Sequence, residues 1–293
     1  MSRELRAESS AYLQGLQGKI TQALTAIDGA PFREDVWERP GGGGGRTRIL
    51  EGGAVFERAG VNFSEVHGEL PPALAATMPG EGAAFVALGL SLVLHPRNPF
   101  VPIVHANFRF LARGGTGWFG GGTDLTPCYL FDDDARHFHG TLRAACDPHG
   151  AALYPEFKRS CDDYFLIPHR GERRGVGGVF FDYLQGDLER HFALVQDLSS
   201  AFLPAYLPLV ERRRESPFEP RHREWQLLRR GRYVEFNLVY DRGTVFGLKT
   251  AGRIESILMS LPPLASWAYA HAPEPESEEA RLIAVLRSPR DWA

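Results

Sequence analysis

Extended apolar segments follow one another in the first half of this 293-residue chain, and they constrain the fold more than any other feature. They are rich in Val, Phe, Leu and Ile and show partial alternation, which is typical of β-strands. The segments are 46–50, 54–69, 85–96 and 101–113. Because successive strands without intervening helices pair antiparallel, this grouping favours an α+β fold with an antiparallel sheet over a doubly wound parallel one.

Helical spacing of apolar residues occurs on either side of these strands. Leu13, Leu16, Ile20, Leu24 and Ile27 form one stripe and predict a helix over 10–27. Further helices are predicted at 132–146, 155–166, 187–214 and 278–286, and further strands at 176–183 and 232–240. The glycine-rich segment 118–127 is interpreted as a loop, with a turn between two strands as the alternative. Since no stretch is typical of an exposed connector, residues 1–293 are predicted to form a single domain.

Charge and composition exclude several classes of protein. The 33 basic and 36 acidic side chains give a net charge of −3, which argues against a general nucleic-acid binder. The sequence has no run of about 18 uncharged apolar residues, so no membrane span is predicted. The N-terminus lacks an apolar signal core, which predicts a cytoplasmic location. Three cysteines without a C-x-x-C pair argue against a disulfide framework and against a cysteine-rich zinc site.

Arginine makes up nearly all of the basic side chains, since only Lys19, Lys158 and Lys249 are lysines. A planar guanidinium is suited to binding carboxylates or phosphates, although genomic base composition is an alternative explanation. Glycine is also abundant and clustered. The run 41–45 is either a flexible loop or a place where the backbone approaches a ligand.

Two short motifs point to cofactor chemistry only weakly. Residues 115–120 match the dinucleotide-binding pattern G-x-G-x-x-G, but no helix start follows to hold a pyrophosphate. His67-Gly68-Glu69 has the H-x-E half of an iron facial triad, which needs a further, distal histidine. A metal-dependent oxygenase is therefore one alternative function.

Polar residues on the predicted strands form a candidate site. His95 and His105 lie on segments that hairpin pairing would bring together, and Asn107 and Arg109 follow on the second segment. A structural role and a functional role for the two histidines stay equally open at this point. Asp124 either caps a turn or is a buried carboxylate with a partner. Residue types alone thus predict an enzyme that binds an acidic ligand.

Several blocks of the sequence resemble the oxygen-dependent coproporphyrinogen III oxidases. They include HPRNPFVPIVHANFRF at 95–110, WFGGGTDLTPCYLF at 118–131 and RRGVGGVFFDYL at 173–184, together with GGGGGRTRILEGGAVFERAGVNFSEVHG at 41–68 and the long block 229–269. The resemblance runs essentially from end to end. It implies a broad antiparallel sheet flanked by helices on both faces and a homodimer formed through about 229–269.

The resemblance also implies the reaction. Two propionates of coproporphyrinogen III would be oxidatively decarboxylated to vinyl groups, which gives protoporphyrinogen IX, CO₂ and H₂O₂ in haem biosynthesis. Oxygen would be the co-substrate, and no organic cofactor is implied, because an electron-rich porphyrinogen can itself give electrons to oxygen. A non-catalytic porphyrin-binding protein with the same pocket is the alternative of another class.

Site residues carry over from the matching motifs. His105 is implied as the proton donor, Asp124 as an anchor for pyrrole nitrogens or a base, and Arg109 as a catalytic and propionate-binding residue. The implied substrate-contacting positions are Ser91, Asn107, Phe108, Arg109, Ala251, Gly252 and Arg253. The implied ligands of a divalent metal cation are His95, His105, His139 and His169, and the resemblance leaves open whether the reaction requires that metal. Two departures are small: Ile103-Val104 stand where the family usually has Ser or Thr, and Ala251 replaces a Gly.

Overall fold

A computed structural model describes residues 3–249 and 252–293 of the chain. Within this part, seven strands form one antiparallel sheet in the order β1-β2-β3-β4-β5-β6-β9, and β7 and β8 form a separate two-stranded ribbon. The strands are β1 Arg33–Glu38, β2 Gly43–Glu51, β3 Phe56–Glu69, β4 Ala84–Pro96, β5 Ile103–Arg113, β6 Thr116–Thr126, β7 Leu166–Ile167, β8 Glu172–Arg173 and β9 Gly177–Leu184. The predicted α+β class and antiparallel pairing are confirmed.

Helices pack on both faces of this sheet. The helices are α1 Arg3–Asp28, α2 Pro72–Ala75, α3 Asp132–Cys146, α4 Leu153–Tyr164, α5 Leu188–Ser200, α6 Phe202–Arg213, α7 Pro220–Val239, α8 Arg242–Lys249, α9 Ile254–Leu258 and α10 Glu278–Arg287. The predicted stripe of α1 is buried at Leu13, Leu16, Ile20 and Leu24, and Ile27 packs against the same core. Each fully buried side chain of this size stabilises the fold by roughly 1.5–3 kcal/mol before entropy is counted.

The two faces of the sheet have different chemistry because side chains alternate along each strand. On β5, Val104, Ala106, Phe108 and Phe110 point into the main hydrophobic core, which also includes residues of α1, α3, α5 and α6. The alternate residues His105, Asn107 and Arg109 are only partly buried and point to the other face. We call this second face the polar face. Helices α7 and α9 cover part of it.

The glycine-rich segment 118–127 is a strand, so its interpretation as a loop is wrong. It forms most of β6, which pairs with β5 on one side and β9 on the other, and its residues are buried. The glycines permit unusually close neighbours: a Cβ at Gly121 would lie 2.4 Å from the Asn107 carbonyl oxygen, and one at Gly122 would lie 2.2 Å from the Val179 carbonyl oxygen. Glycine here serves tight packing between strands, which turn-based reasoning does not anticipate.

The segment 232–240 is helical, so the strand predicted there is also wrong. It lies in α7, where Pro220 occupies the first turn and Glu219 and His222 form a reciprocal cap. The buried residues Arg229, Arg230, Tyr233, Phe236 and Asn237 recur at helical spacing. The aromatic and β-branched residues suggested a strand, but burial on one helical face decides the structure.

The long helix predicted over 187–214 is divided into α5 and α6 at Ala201. Pro204 has no N–H to donate to the preceding turn, which accounts for the break. Among the described residues, 188–213 is one stretch whose length and composition would suit a membrane span, and half of its most apolar window is buried within the protein. Burial of this kind is the pattern of a core helix.

Candidate active site

Strand register brings most of the predicted site residues together on the polar face. His105 on β5 lies opposite Asp124 on β6 and Val93 on β4. Asn107 lies opposite Ser91 on β4. Arg109, two residues farther along β5, shares this face. The expected convergence of these side chains follows from the period-two alternation of strands.

Asp124 is a buried carboxylate with two partners, as one of its two interpretations expected. Its side chain is 1% exposed. Its Oδ1 lies 2.8 Å from His105 Nδ1, and Arg174 Nη2 donates to both carboxylate oxygens at 2.9 Å. His105 itself is 20% exposed, so it lies between the buried carboxylate and the open part of the polar face.

Electrostatics keep Asp124 ionised. Burial alone would raise the pKa of this carboxyl, but the charge of Arg174 and the hydrogen bonds from His105 and Arg174 outweigh burial and lower the pKa. Burial alone would lower the pKa of Arg174, but the charge of Asp124 outweighs burial and raises it. The pair is therefore a fixed negative and a fixed positive charge beneath the His105 ring.

Arg174 lies in a cage of aromatic rings that sequence reasoning missed. Its guanidinium carbon lies 4.1 Å from the Phe165 ring centre, 4.5 Å from that of Tyr233 and 5.0 Å from that of Phe236. Its Nη1 donates to Asn237 Oδ1 at 2.7 Å. A basic loop such as 169–175 is typical of a solvated surface, but Arg174 in this loop is buried. The sequence marks Arg174 as a site residue only through its place in the block 173–184, which resembles the oxidase family.

Arg109 is the next charged group along β5. Its Nη2 donates to Asp182 Oδ2 on β9 at 2.8 Å, and its side chain is partly exposed. Gly120 stands directly opposite on β6, where a Cβ would lie 2.5 Å from Asp182 Oδ1 and 3.0 Å from Arg109 Nε. The space that Gly120 leaves without a side chain is therefore filled by the ion pair.

Arg253 lies at the far edge of the polar face. It precedes α9 and bonds Asp35 on β1, with its guanidinium 5.8 Å from the Trp37 ring centre. Gly45 makes room for that indole, since a Cβ there would lie 2.3 Å from the ring, and this gives one glycine of the 41–45 run a packing role. From β1 to β5 there are four strand spacings, or about 19 Å. Arg253 and Arg109 are therefore about four strand spacings apart, and each pairs with a carboxylate of the chain.

The other positions that the resemblance implies as substrate contacts have different surroundings. Gly252 packs tightly beside α8 and α9, since a Cβ there would lie 2.9 Å from the Gly247 carbonyl oxygen. Ala251 lies outside the described residues. The Phe108 side chain is fully buried in the hydrophobic core on the opposite face, so it does not line the polar face. Asn107 Oδ1 is buried and accepts no hydrogen bond from the described residues, which leaves an acceptor for an N–H donor.

The four histidines implied as metal ligands have separate surroundings. His95 Nε2 lies 2.9 Å from the Ser260 carbonyl oxygen, and His139 bonds the Tyr154 hydroxyl and the Val176 carbonyl. His169 bonds Tyr240 and Glu235 at the protein surface. The described residues contain no group of three or more His, Cys, Asp and Glu placed to hold a metal ion. These four residues therefore do not fit one metal site among the described residues.

Burial explains the state of two of these histidines. Removal from water lowers the pKa of His95 to about 3, aided by the charge of Arg230. Removal from water likewise lowers the pKa of His139 to about 3. Both rings are neutral at physiological pH and belong to the packed interior.

The polar face thus presents an ionised carboxylate beneath a partly exposed imidazole, with two arginines at separate places along the sheet. One comparison with known proteins bears on what this arrangement serves. The family model described as coproporphyrinogen III oxidase matches residues 8–292, nearly the whole chain. The chain belongs to the coproporphyrinogen III oxidase family.

Proposed function

We propose that the protein is an oxygen-dependent coproporphyrinogen III oxidase that converts two propionates to vinyl groups and releases protoporphyrinogen IX. For each propionate, a C–H bond and the C–C bond to the carboxylate break, and a C=C bond forms. The side chain loses CO₂, one proton and two electrons. The electrons reduce O₂, which takes up two protons and leaves as H₂O₂, so the net step consumes one proton.

The observation that carries this proposal is the pairing of His105 with the ionised, buried Asp124. Asp124 engages His105 Nδ1, so Nε2 is the ring nitrogen directed away from the carboxylate. Orientation of an imidazole by a carboxylate is a recurrent arrangement for proton transfer. His105 Nε2 would exchange the proton, while the Asp124 charge stabilises positive charge that develops on the imidazole and on the electron-rich ring above it.

Binding and orientation come from the remaining polar groups. Arg109 and Arg253, about four strands apart, suit a macrocycle that carries several carboxylates on separate side chains. Because Asp124 is almost fully buried, it would act on the substrate through the His105 ring rather than by direct contact.

An assay of coproporphyrinogen III under air and under nitrogen tests the reaction. We expect CO₂ release and loss of substrate in air only, with the porphyrin product read by fluorescence after chemical oxidation. Equal turnover without oxygen would contradict oxygen dependence. Binding without CO₂ release would indicate the non-catalytic porphyrin-binding alternative, and turnover that tracks stoichiometric iron would indicate a metal-dependent oxygenase.

We further propose that the protein acts as a homodimer through apolar side chains that follow the buried part of α7. The apolar residues of this stretch that are more than half exposed are Val239, Ile254, Leu264, Trp267 and Tyr269. The residues 229–237 of the implied dimerisation region are mostly internal, which narrows the proposed surface to about 238–269. Sedimentation of the double variant Leu264→Glu/Tyr269→Glu should show a monomer, whereas Val36→Glu on β1 should leave the wild-type mass unchanged. A wild-type monomer would contradict the proposal.

A further inference from the structure

Asp182 is a carboxylate on the polar face whose placement the reaction scheme does not yet use. Its Oδ2 accepts from Arg109 Nη2 at 2.8 Å, and Arg242 Nη2 from α8 lies 3.8 Å from the same oxygen. The side chain is 14% exposed, while Arg109 is 28% exposed. Asp182 thus lies behind the guanidinium rather than in open solvent.

The backbone is distorted at this point. Between the pairs Phe119↔Leu184 and Gly121↔Phe181, β6 advances by two residues and β9 by three, so β9 carries one extra residue. This β-bulge contains Asp182 and Tyr183, and Tyr183 has a φ of 56°, in the left-handed region that favours glycine. The Tyr183 N–H donates to Asp182 Oδ1 at 3.0 Å, which fixes the carboxylate at the bulge.

Strand β6 contributes a matching feature. Gly120 has no side chain to occupy the space that Asp182 Oδ1 and Arg109 Nε fill. Three neighbouring strands therefore cooperate in one ion pair: β5 supplies the arginine, β9 a bulge that aims the carboxylate, and β6 the gap. A partly exposed ion pair contributes little net stability, so stability alone does not account for a strained bulge built around it.

We propose that Asp182 is a positioning residue for substrate binding: it holds the Arg109 guanidinium so that its remaining N–H groups face the substrate carboxylate. This inference rests on the proposed function, in which Arg109 binds a propionate. An arginine fork that is held by a second carboxylate loses less conformational freedom when it binds a ligand. Asp182 would act through Arg109 and not on the reacting atoms.

Steady-state kinetics with coproporphyrinogen III in air test this inference. Asp182→Ala should raise KM by about tenfold or more while kcat stays within about threefold, because uniform binding is lost and the chemical step is not. Asp182→Asn keeps an acceptor oxygen at the same place and should recover part of the loss. Asp133→Ala, which removes one of the two carboxylates beside Arg136 on the surface of α3, is the matched control and should leave KM unchanged.

A double-mutant cycle separates positioning from a merely structural role. In an Arg109→Ala background, Asp182→Ala should have no further effect on KM, since the residue through which it acts is gone. An unchanged KM in Asp182→Ala overturns the inference, and so does an equal rise in KM in both backgrounds. Thermal unfolding of each variant confirms that the fold is kept.

Equilibrium binding distinguishes this inference from the proposed function. The probe is coproporphyrin III, the fluorescent oxidised tetracarboxylate, titrated against each variant without turnover. We expect the affinities to follow the order of the KM values: wild type binds most tightly, Asp182→Asn less tightly and Asp182→Ala most weakly. If wild type binds the probe but releases no CO₂ from coproporphyrinogen III, the proposed reaction is contradicted. The order of the Kd values then still decides the role of Asp182. A wild-type protein that does not bind coproporphyrin III overturns both.

Discussion

Asp124 and Arg174 form an ion pair that is almost completely removed from water. Removal of two charges from water is costly, and the mutual attraction of such a pair offsets this cost only when every hydrogen bond is made. Here Arg174 donates to both Asp124 oxygens and to Asn237, but its buried Nε has no hydrogen-bond partner among the described residues. The pair is better explained as a means of keeping Asp124 charged beside His105 than as a source of stability.

Replacement of Asp124 by Asn should therefore affect both activity and stability. The variant leaves a buried arginine without its counter-charge, and breaking a buried pair costs about 3–5 kcal/mol. We expect a lower free energy of unfolding in urea and a loss of turnover of about 10²-fold or more.

The double variant Asp124→Asn/Arg174→Met controls for stability. An apolar side chain suits the aromatic cage, so we expect most of the lost free energy of unfolding to return while turnover stays low. Wild-type turnover in the single variant would contradict the role of Asp124. Turnover restored together with stability would show that the residue serves only the fold.

His105→Ala tests the proton-transfer role, and its free energy of unfolding is measured beside turnover because the ring is only 20% exposed and bonds Asp124. We expect kcat to fall roughly 10²-fold in a variant that still folds, since loss of a general acid–base group has effects of this size. His137→Ala is the control: this histidine of α3 bonds the Pro204 carbonyl at 2.9 Å on another part of the molecule. If kcat stays near the wild-type value in His105→Ala, the proton passes through another group.

Individual site residues were predictable to different degrees. His105, Asn107 and Arg109 could be assigned to one face because alternation along a strand is regular, and that prediction is confirmed for β5. Arg174 could not be recognised from its neighbours, since its partner Asp124 is distant in sequence and the surrounding loop is basic. Asp182 was missed for a related reason: its position depends on a bulge, and bulges leave no periodic signal.

At the scale of elements, β6 and α7 show where local patterns mislead. β6 contains Gly117 and Gly120 to Gly122, which local rules assign to a loop, but two neighbouring strands supply its hydrogen bonds. α7 contains an aromatic-rich stretch that local rules assign to a strand, but its buried residues follow helical spacing. In contrast, α3 begins at a run of three aspartates and was predicted over its full length, because its start and stop signals are local.

Gly122→Ala tests the packing role of the β6 glycines. An added Cβ would lie 2.2 Å from the Val179 carbonyl oxygen, so the backbones of β6 and β9 must move apart. We expect a loss of about 1–3 kcal/mol in the free energy of unfolding, together with weaker substrate binding through the displaced Asp182. Gly15→Ala in α1 is the control, because nothing lies within 4 Å of its Cβ position and the helix should gain up to about 1 kcal/mol. Equal stability of the two variants would contradict the close-packing explanation.

At the scale of the whole molecule, one sheet separates two environments. The core face buries α1, α3, α5 and α6 against alternate residues of every central strand. The polar face uses the intervening residues of the same strands for His105, Arg109 and Asp124. Stability and chemistry are therefore divided between the two sides of each strand, except where a residue of the polar face is itself buried, as Asp124 is.

The pH dependence of stability should report the two buried neutral histidines. His95 and His139 have pKa values of about 3 in the folded protein, mainly because burial disfavours their charged forms. The ordinary value in an unfolded chain is about 6.5, so the unfolded state binds more protons between these limits. Their contribution to stability is complete above pH 6.5 and is lost as the pH falls from 6.5 towards 3.

Lowering the pH from 7 to 5 should thus cost about 2 kcal/mol of unfolding free energy for each histidine. Urea unfolding at both pH values measures the change in wild type and in His139→Gln, which keeps polar atoms near Tyr154 and Val176 but cannot titrate. The variant should be less stable at pH 7 and should lose about 2 kcal/mol less between pH 7 and 5 than wild type does. His137→Gln should keep the full pH dependence, because its ring bonds the Pro204 carbonyl near the surface. If all three proteins lose the same free energy of unfolding between pH 7 and 5, burial of a neutral His139 does not cause the pH dependence.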